Sequence, residues 1–131
     1  MKRIVLSVLF FLSFPILAQS PYSIPYSTVR DSYIALSKDP EAKLKRHDDG
    51  WQIVHVKGGV NEGVWSFPPN SHAAYPAVVK RVVVEKDGNL FMAMDALCGA
   101  SKSVCDSFIQ DFQKLNGEMV KDLEAKRAAT K

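Results

Sequence analysis

The chain has 131 residues, with 17 lysines and arginines against 14 aspartates and glutamates, a formal charge of +3, and two cysteines. That length holds one domain with a modest core and is too short for two. Basic residues gather only at Lys43-Leu44-Lys45-Arg46 and Lys80-Arg81, each with acids following, so the broad basic face that neutralises phosphates in a nucleic-acid binder is missing. Both clusters read as solvated strand faces.

Met1-Lys2-Arg3 is a short basic start, residues 4–12 are almost wholly apolar, Pro15 breaks the run, and Ala18 stands at a cleavage position with Ser20 as an alternative. This pattern predicts a secretory signal peptide over residues 1–18. The run is too short and wrongly flanked for a membrane span, so no integral membrane segment is expected after its removal. No cysteine follows it to carry a lipid. Cleavage takes Lys2 and Arg3 and no acid, leaving residues 19–131 near neutral as a single domain in the periplasm or outside the cell.

Pro21 and Pro25, among serines and tyrosines, mark an extended lead. Ser27 or Thr28 then caps a first helix, Thr28 with Asp31 three residues on resembling a capping box. Val29, Tyr33 and Leu36 recur at four and three, one stripe toward a core, until Lys38-Asp39-Pro40 ends the helix. From Ala42 the period falls to two. Asp49-Gly50 offers a two-residue hairpin turn, and Trp51 to Lys57 resumes with Trp51, Ile53 and His55 on one side. A third strand over 64–67 ends at Pro68-Pro69. The fourth and fifth strands, 78–85 and 89–97, join at Asp87-Gly88, so five short strands form an antiparallel meander.

Two registers fit the last hairpin. A two-residue loop pairs Lys86 with Asn89 and sets Arg81, Val83 and Glu85 beside Leu90, Met92 and Met94. A three-residue loop with Gly88 left-handed pairs Glu85 with Asn89 and brings Val82 and Val84 there instead. The second makes the cleaner apolar face and is preferred.

The final helix is the clearest local signal. Ser101 is a good N-cap, and Val104, Phe108, Phe112, Leu115, Met119 and Leu123 recur at helical spacing, with Ile109 and Val120 widening the stripe. Past Leu123 the stripe stops, so residues 124–131 are expected to fray or protrude. Cys105 lies on the flank of this stripe, and Cys98 shares a strand face with Met92, Met94 and Ala96. In a secreted chain the two pair as a disulfide across the Gly-Ala-Ser turn. The spacing is not Cys-x-x-Cys, so the bridge is structural, and without a histidine pair the two thiols make a poor zinc site.

Catalytic and cofactor motifs are absent from the sequence. His47, His55 and His72 show no metal spacing, and no Gly-x-Ser-x-Gly elbow or phosphate loop occurs. A dispersed Ser-His-Asp triad is the one hydrolytic arrangement left open, since spacing does not reveal it. The longest aperiodic stretch is Trp-Ser-Phe-Pro-Pro-Asn-Ser-His-Ala-Ala-Tyr-Pro over 65–76. Long ordered loops carry binding groups, and aromatics held by prolines lose little entropy on gripping a partner, which nominates Trp65, Phe67, His72 and Tyr75. The more ordinary reading places Trp65 and Phe67 in the core as strand residues and folds Tyr75 back as a lid.

The runs Trp65-Ser66-Phe67-Pro68-Pro69 and His72 to Arg81, followed by one cysteine at the last strand's end and another in the helix after it, resemble a small secreted proteobacterial family labelled quorum-sensing-regulated virulence factor. The resemblance covers nearly all of residues 19–131. It implies a compact secreted α+β protein and assigns no catalytic residue.

The resulting expectation is an α+β fold: a five-stranded antiparallel meander flanked by an N-terminal and a long C-terminal helix, two-layer, with both helices on one face. The expected function is a protein-interaction module, not an enzyme, without cofactor, metal or nucleic acid, acting on a protein partner as a virulence-related or envelope factor. The alternatives are a binder of a small ligand or envelope polymer in a pocket between sheet and helices, where Met92 and Met94 adapt to irregular space, and a small hydrolase.

Overall fold

A computed structural model describes residues 20–131, so the signal-peptide reading of residues 1–18 lies outside the described residues. Chain order is α1 (Val29–Ser37), β1 (Ala42–Arg46), β2 (Gln52–Val56), β3 (Gly63–Phe67), β4 (Ala77–Lys86), β5 (Asn89–Cys98) and α2 (Lys102–Ala129). The five strands form one antiparallel sheet in the order β1-β2-β3-β4-β5, an α+β meander with a short helix before it and a long one after. Each neighbour pair is sequential, as short connections dictate.

The α1 terminus follows its local chemistry. Thr28 is in an extended conformation, and its hydroxyl accepts the Asp31 N–H at 3.0 Å, satisfying a donor that the first turn leaves open. Ser101 occupies the corresponding position before α2 without a side-chain cap bond.

Two cores lie on opposite faces of the sheet. On one face Val54, Val56, Trp65, Phe67 and Val78 are buried with Ile24 of the lead and Leu36 of α1. On the other, Val79 and Ala77 meet Phe108 and Phe112 of α2, with Trp51, Met94 and Cys98 packed against them. The helices therefore do not share a face, which corrects the placement expected from the sequence. Either side of a half-buried strand attracts an amphipathic stripe, and the stripes of α1 and α2 do not say which side each takes.

This double cover explains a second correction. Lys80 and Arg81 are not solvated: they are 0 % and 8 % exposed, pointing into opposite cores from the same stretch of β4. Lys80 Nζ donates to the carbonyls of Ser23 and Val60 at 3.1 and 3.0 Å and lies 5.3 Å from the Trp65 ring centroid. The Arg81 guanidinium lies 5.1 Å from the Phe112 ring centroid; its Nη1 makes a 3.2 Å contact with Met119 Sδ and a long one with Asn116 Oδ1. Its buried Nε has no hydrogen-bond partner among the described residues. Burial pushes both groups below their ordinary pKa values. The β1 cluster is exposed, as expected of an edge strand.

The hairpin turns also differ from the expectation. β4 and β5 pair Lys86 with Asn89, Arg81 with Met94 and Val83 with Met92, the two-residue register. Asp87 and Gly88 both take positive φ, 54° and 77°, as a tight hairpin turn of this length requires. Conversely, Arg46 pairs with Gln52 and His47 N–H donates to Trp51 C=O, so the first hairpin turns through three residues with Gly50 left-handed at φ 89°. An apolar-face criterion chose wrongly at β4 because Arg81 is a core residue here.

The corner after β5 is stapled by a Cys98–Cys105 disulfide, with Cα atoms 5.9 Å apart. Replacing both cysteines by serine is expected to remove about 2.5 kcal/mol of stability, the loop-closure entropy of so short a ring. Urea titration reads this as a lower midpoint than that of the oxidised wild type, and an unchanged midpoint contradicts it. Past Leu123, where fraying or protrusion is expected, α2 stays helical. It continues to Ala129, where Arg127 bonds Glu85 at 3.1 Å and the Gly88 carbonyl at 2.7 Å, tying the helix end to the β4–β5 turn.

Candidate functional site

The four candidate residues are not brought together. Trp65 is fully buried, its Nε1–H donating to Asn61 C=O at 2.8 Å, and Phe67 is buried under Tyr33, whose ring meets it edge-on at 5.4 Å. Both are core strand residues, the more ordinary of the two readings. His72 packs on the other side of the sheet, 5.4 Å from Trp51 and 5.5 Å from Phe108 between ring centroids. Tyr75 alone is substantially open, at 51 % exposure.

Tyr75 and Phe67 nevertheless border one feature, a cleft of about 870 Å³. One wall is the start of α1, with Thr28, Arg30 and Tyr33; the other is the arm formed by Pro68, Tyr75 and Pro76 beside Gly99. Phe67 and Leu97 contribute apolar surface between them. Tyr33 Oη donates to Gln52 Oε1 at 3.0 Å, fixing two polar groups in the cleft wall. Arg30 is exposed and brings a cation. The arm is held from the disulfide corner: Gly99 N–H donates to Pro76 C=O at 2.8 Å, and a β-carbon on Gly99 would lie 3.0 Å from Pro76 Cγ. The peptide bond between Tyr75 and Pro76 is cis.

Thr28, Arg30 and Gln52 were not nominated from the sequence. Their helical and strand spacing is visible there, but they become neighbours of the 65–76 segment only because α1 crosses the face opposite α2.

A smaller hollow of about 330 Å³ lies between His72, Ser103, Ser107, Phe108 and Asp111. It holds the residue types of a hydrolytic triad with the wrong hydrogen-bond polarity. His72 Nδ1 accepts the Ala74 N–H at 3.1 Å, whereas a triad histidine carries its proton on the nitrogen facing the carboxylate and accepts from serine through the other. Among the described residues no group of three or more His, Cys, Asp or Glu is arranged to hold a metal ion, and no helix is long and apolar enough to cross a membrane.

No family, curated protein or solved structure matches the chain. Fold and site define an α+β protein with a disulfide-braced cleft.

Proposed function

We propose that this is a secreted, non-catalytic binding protein that takes a small amphipathic ligand in the cleft between α1 and the Tyr75–Pro76 arm. The cleft carries this reading. Its volume falls within the roughly 300–1,000 Å³ usual for ligand sites, and it combines apolar surface from Phe67 and Leu97 with a few placed polar groups at Thr28, Arg30 and Gln52. Arg30 favours a ligand with an acidic group at one end, and Tyr75 offers a ring face at the other. The signal-like start and the disulfide support export to an oxidising compartment. A virulence-related or envelope role rests on the family resemblance.

A thermal-shift screen of residues 19–131 against aromatic and aliphatic carboxylates and short envelope glycans tests it, since a ligand raises the melting temperature by mass action. Hits are expected to lose their shift in Arg30→Ala and Tyr75→Ala, while both unliganded variants melt within about 2 °C of wild type. A panel without hits, or hits indifferent to both substitutions, contradicts the proposal. The exposure of Tyr75 supports a second reading, in which the same cleft receives a side chain of a partner protein. Capture of a periplasmic protein that is lost in Tyr75→Ala favours that reading.

A further inference from the structure

The two edges of the sheet are built differently. β1 is five residues long and carries Lys43, Lys45 and Arg46, the charged, short form that keeps an edge from pairing. β5 is ten residues long, and from Leu90 to Met94 it has no charge and no proline. Its backbone polarity follows from the hairpin. The Lys86–Asn89 pair closes the turn and Gly99 N–H bonds Pro76 C=O, so in β5 the odd-numbered residues from Asn89 to Leu97 bond β4. Leu90, Met92 and Met94 therefore aim their N–H and C=O groups away from the sheet.

The free stretch has defined ends. Just beyond it, the Ala96 N–H is taken by Asp95 Oδ1 at 2.9 Å, and the Gly88 carbonyl by Arg127 at 2.7 Å. Among the described residues, what remains open is symmetric about Met92.

We propose that β5 pairs antiparallel with β5 of a second copy of this chain across a two-fold axis at Met92, joining two sheets into one. The side chains fit this register in particular. Leu90 falls opposite Met94 of the second copy and Met92 opposite itself. On the other face Phe91, 42 % exposed, falls opposite the small Ala93, and Asn89 lies opposite Asp95, whose carboxylate oxygens already accept the Ile24 and Ala96 N–H groups at 2.7 and 2.9 Å and would share a lone pair with the incoming amide. Large meets small and amide meets carboxylate, with no like charges facing. A two-fold contact of one strand with itself closes after two copies and leaves β1 as the only edge at either end.

Sedimentation of residues 19–131 over about two decades of concentration tests this. Wild type is expected at twice the monomer mass, with Ala93→Lys and Met92→Pro monomeric. Proline at Met92 deletes only an outward N–H and spares the ladder to β4. Hydrogen exchange on unmodified protein provides a check that does not depend on the variants folding. The Leu90, Met92 and Met94 amides are expected to gain protection with concentration, while Phe91 and Ala93 are protected throughout. A wild type monomeric at every concentration, a dimer unaffected by both substitutions, or outward amides indifferent to concentration would overturn the proposal; the first outcome leaves the edge to an extended segment of another protein.

Discussion

Lys80→Met is expected to lower the unfolding free energy by about 2–3 kcal/mol, although it exchanges a buried ammonium for an apolar side chain of similar length. The methionine keeps the stem but leaves the Ser23 and Val60 carbonyls without their donor and deprives Asp95, the cross-strand neighbour of Lys80, of a cation. The Val60 side chain is exposed, so water recovers part of the loss at that carbonyl. Chemical denaturation of both proteins measures the difference, and equal midpoints contradict it.

The same pair of proteins has a pH signature. Burial lowers the Lys80 pKa below 10.5, with Asp95 and then Glu62 opposing the shift. Between the folded-state value and 10.5 the unfolded chain binds the proton more tightly. Wild-type stability therefore gains on that of Lys80→Met as pH rises through that window, then levels off. Denaturation midpoints taken at roughly pH 8 to 11 follow this difference. A difference that shrinks with rising pH has the wrong sign.

Trp65→Ala is expected to cost about 3–5 kcal/mol, the range for removing a large aromatic from a packed interior. It empties the centre of the α1-side core, loses the bond to Asn61 and removes the ring beside Lys80. Tyr75→Ala, half exposed on the arm, is expected to leave stability within about 0.5 kcal/mol. The two substitutions thus separate residues that stand ten apart in one segment: one supports the frame, the other faces the cleft. Urea titration resolves both, and a comparable loss in the two variants contradicts the assignment.

What could be read in advance depended on how local the determining physics is. The Thr28 cap, the meander and the Cys98–Cys105 pairing are short-range consequences of spacing, and the structure shows each of them; of the α2 stripe it buries Phe108 and Phe112, but Leu115 is exposed and the polar Asn116 beside it is buried. The failures at β4 have a common source. Two aspartate–glycine turns look alike in sequence, yet Asp49-Gly50 belongs to a three-residue turn and Asp87-Gly88 to a two-residue one. Burial pattern was the available arbiter, and it misleads where a strand buries Lys80 and Arg81 against backbone carbonyls, aromatic rings and a methionine. The cleft was invisible for a related reason. The sequence showed the α1 stripe without the face it covers, and only that face brings Arg30 and Tyr33 to the 65–76 segment.

The opposed burial of Lys80 and Arg81 bears on how the molecule opens. Successive side chains of one strand anchor the two half-cores, so β4 cannot loosen toward α2 without disturbing the lead, and the reverse. Partial opening that releases one layer alone exposes a charged anchor or strands its acceptors. The slowest-exchanging amides should accordingly lie in the shared middle of β4 and β5, and should open together in a single cooperative unit spanning both sides of the sheet.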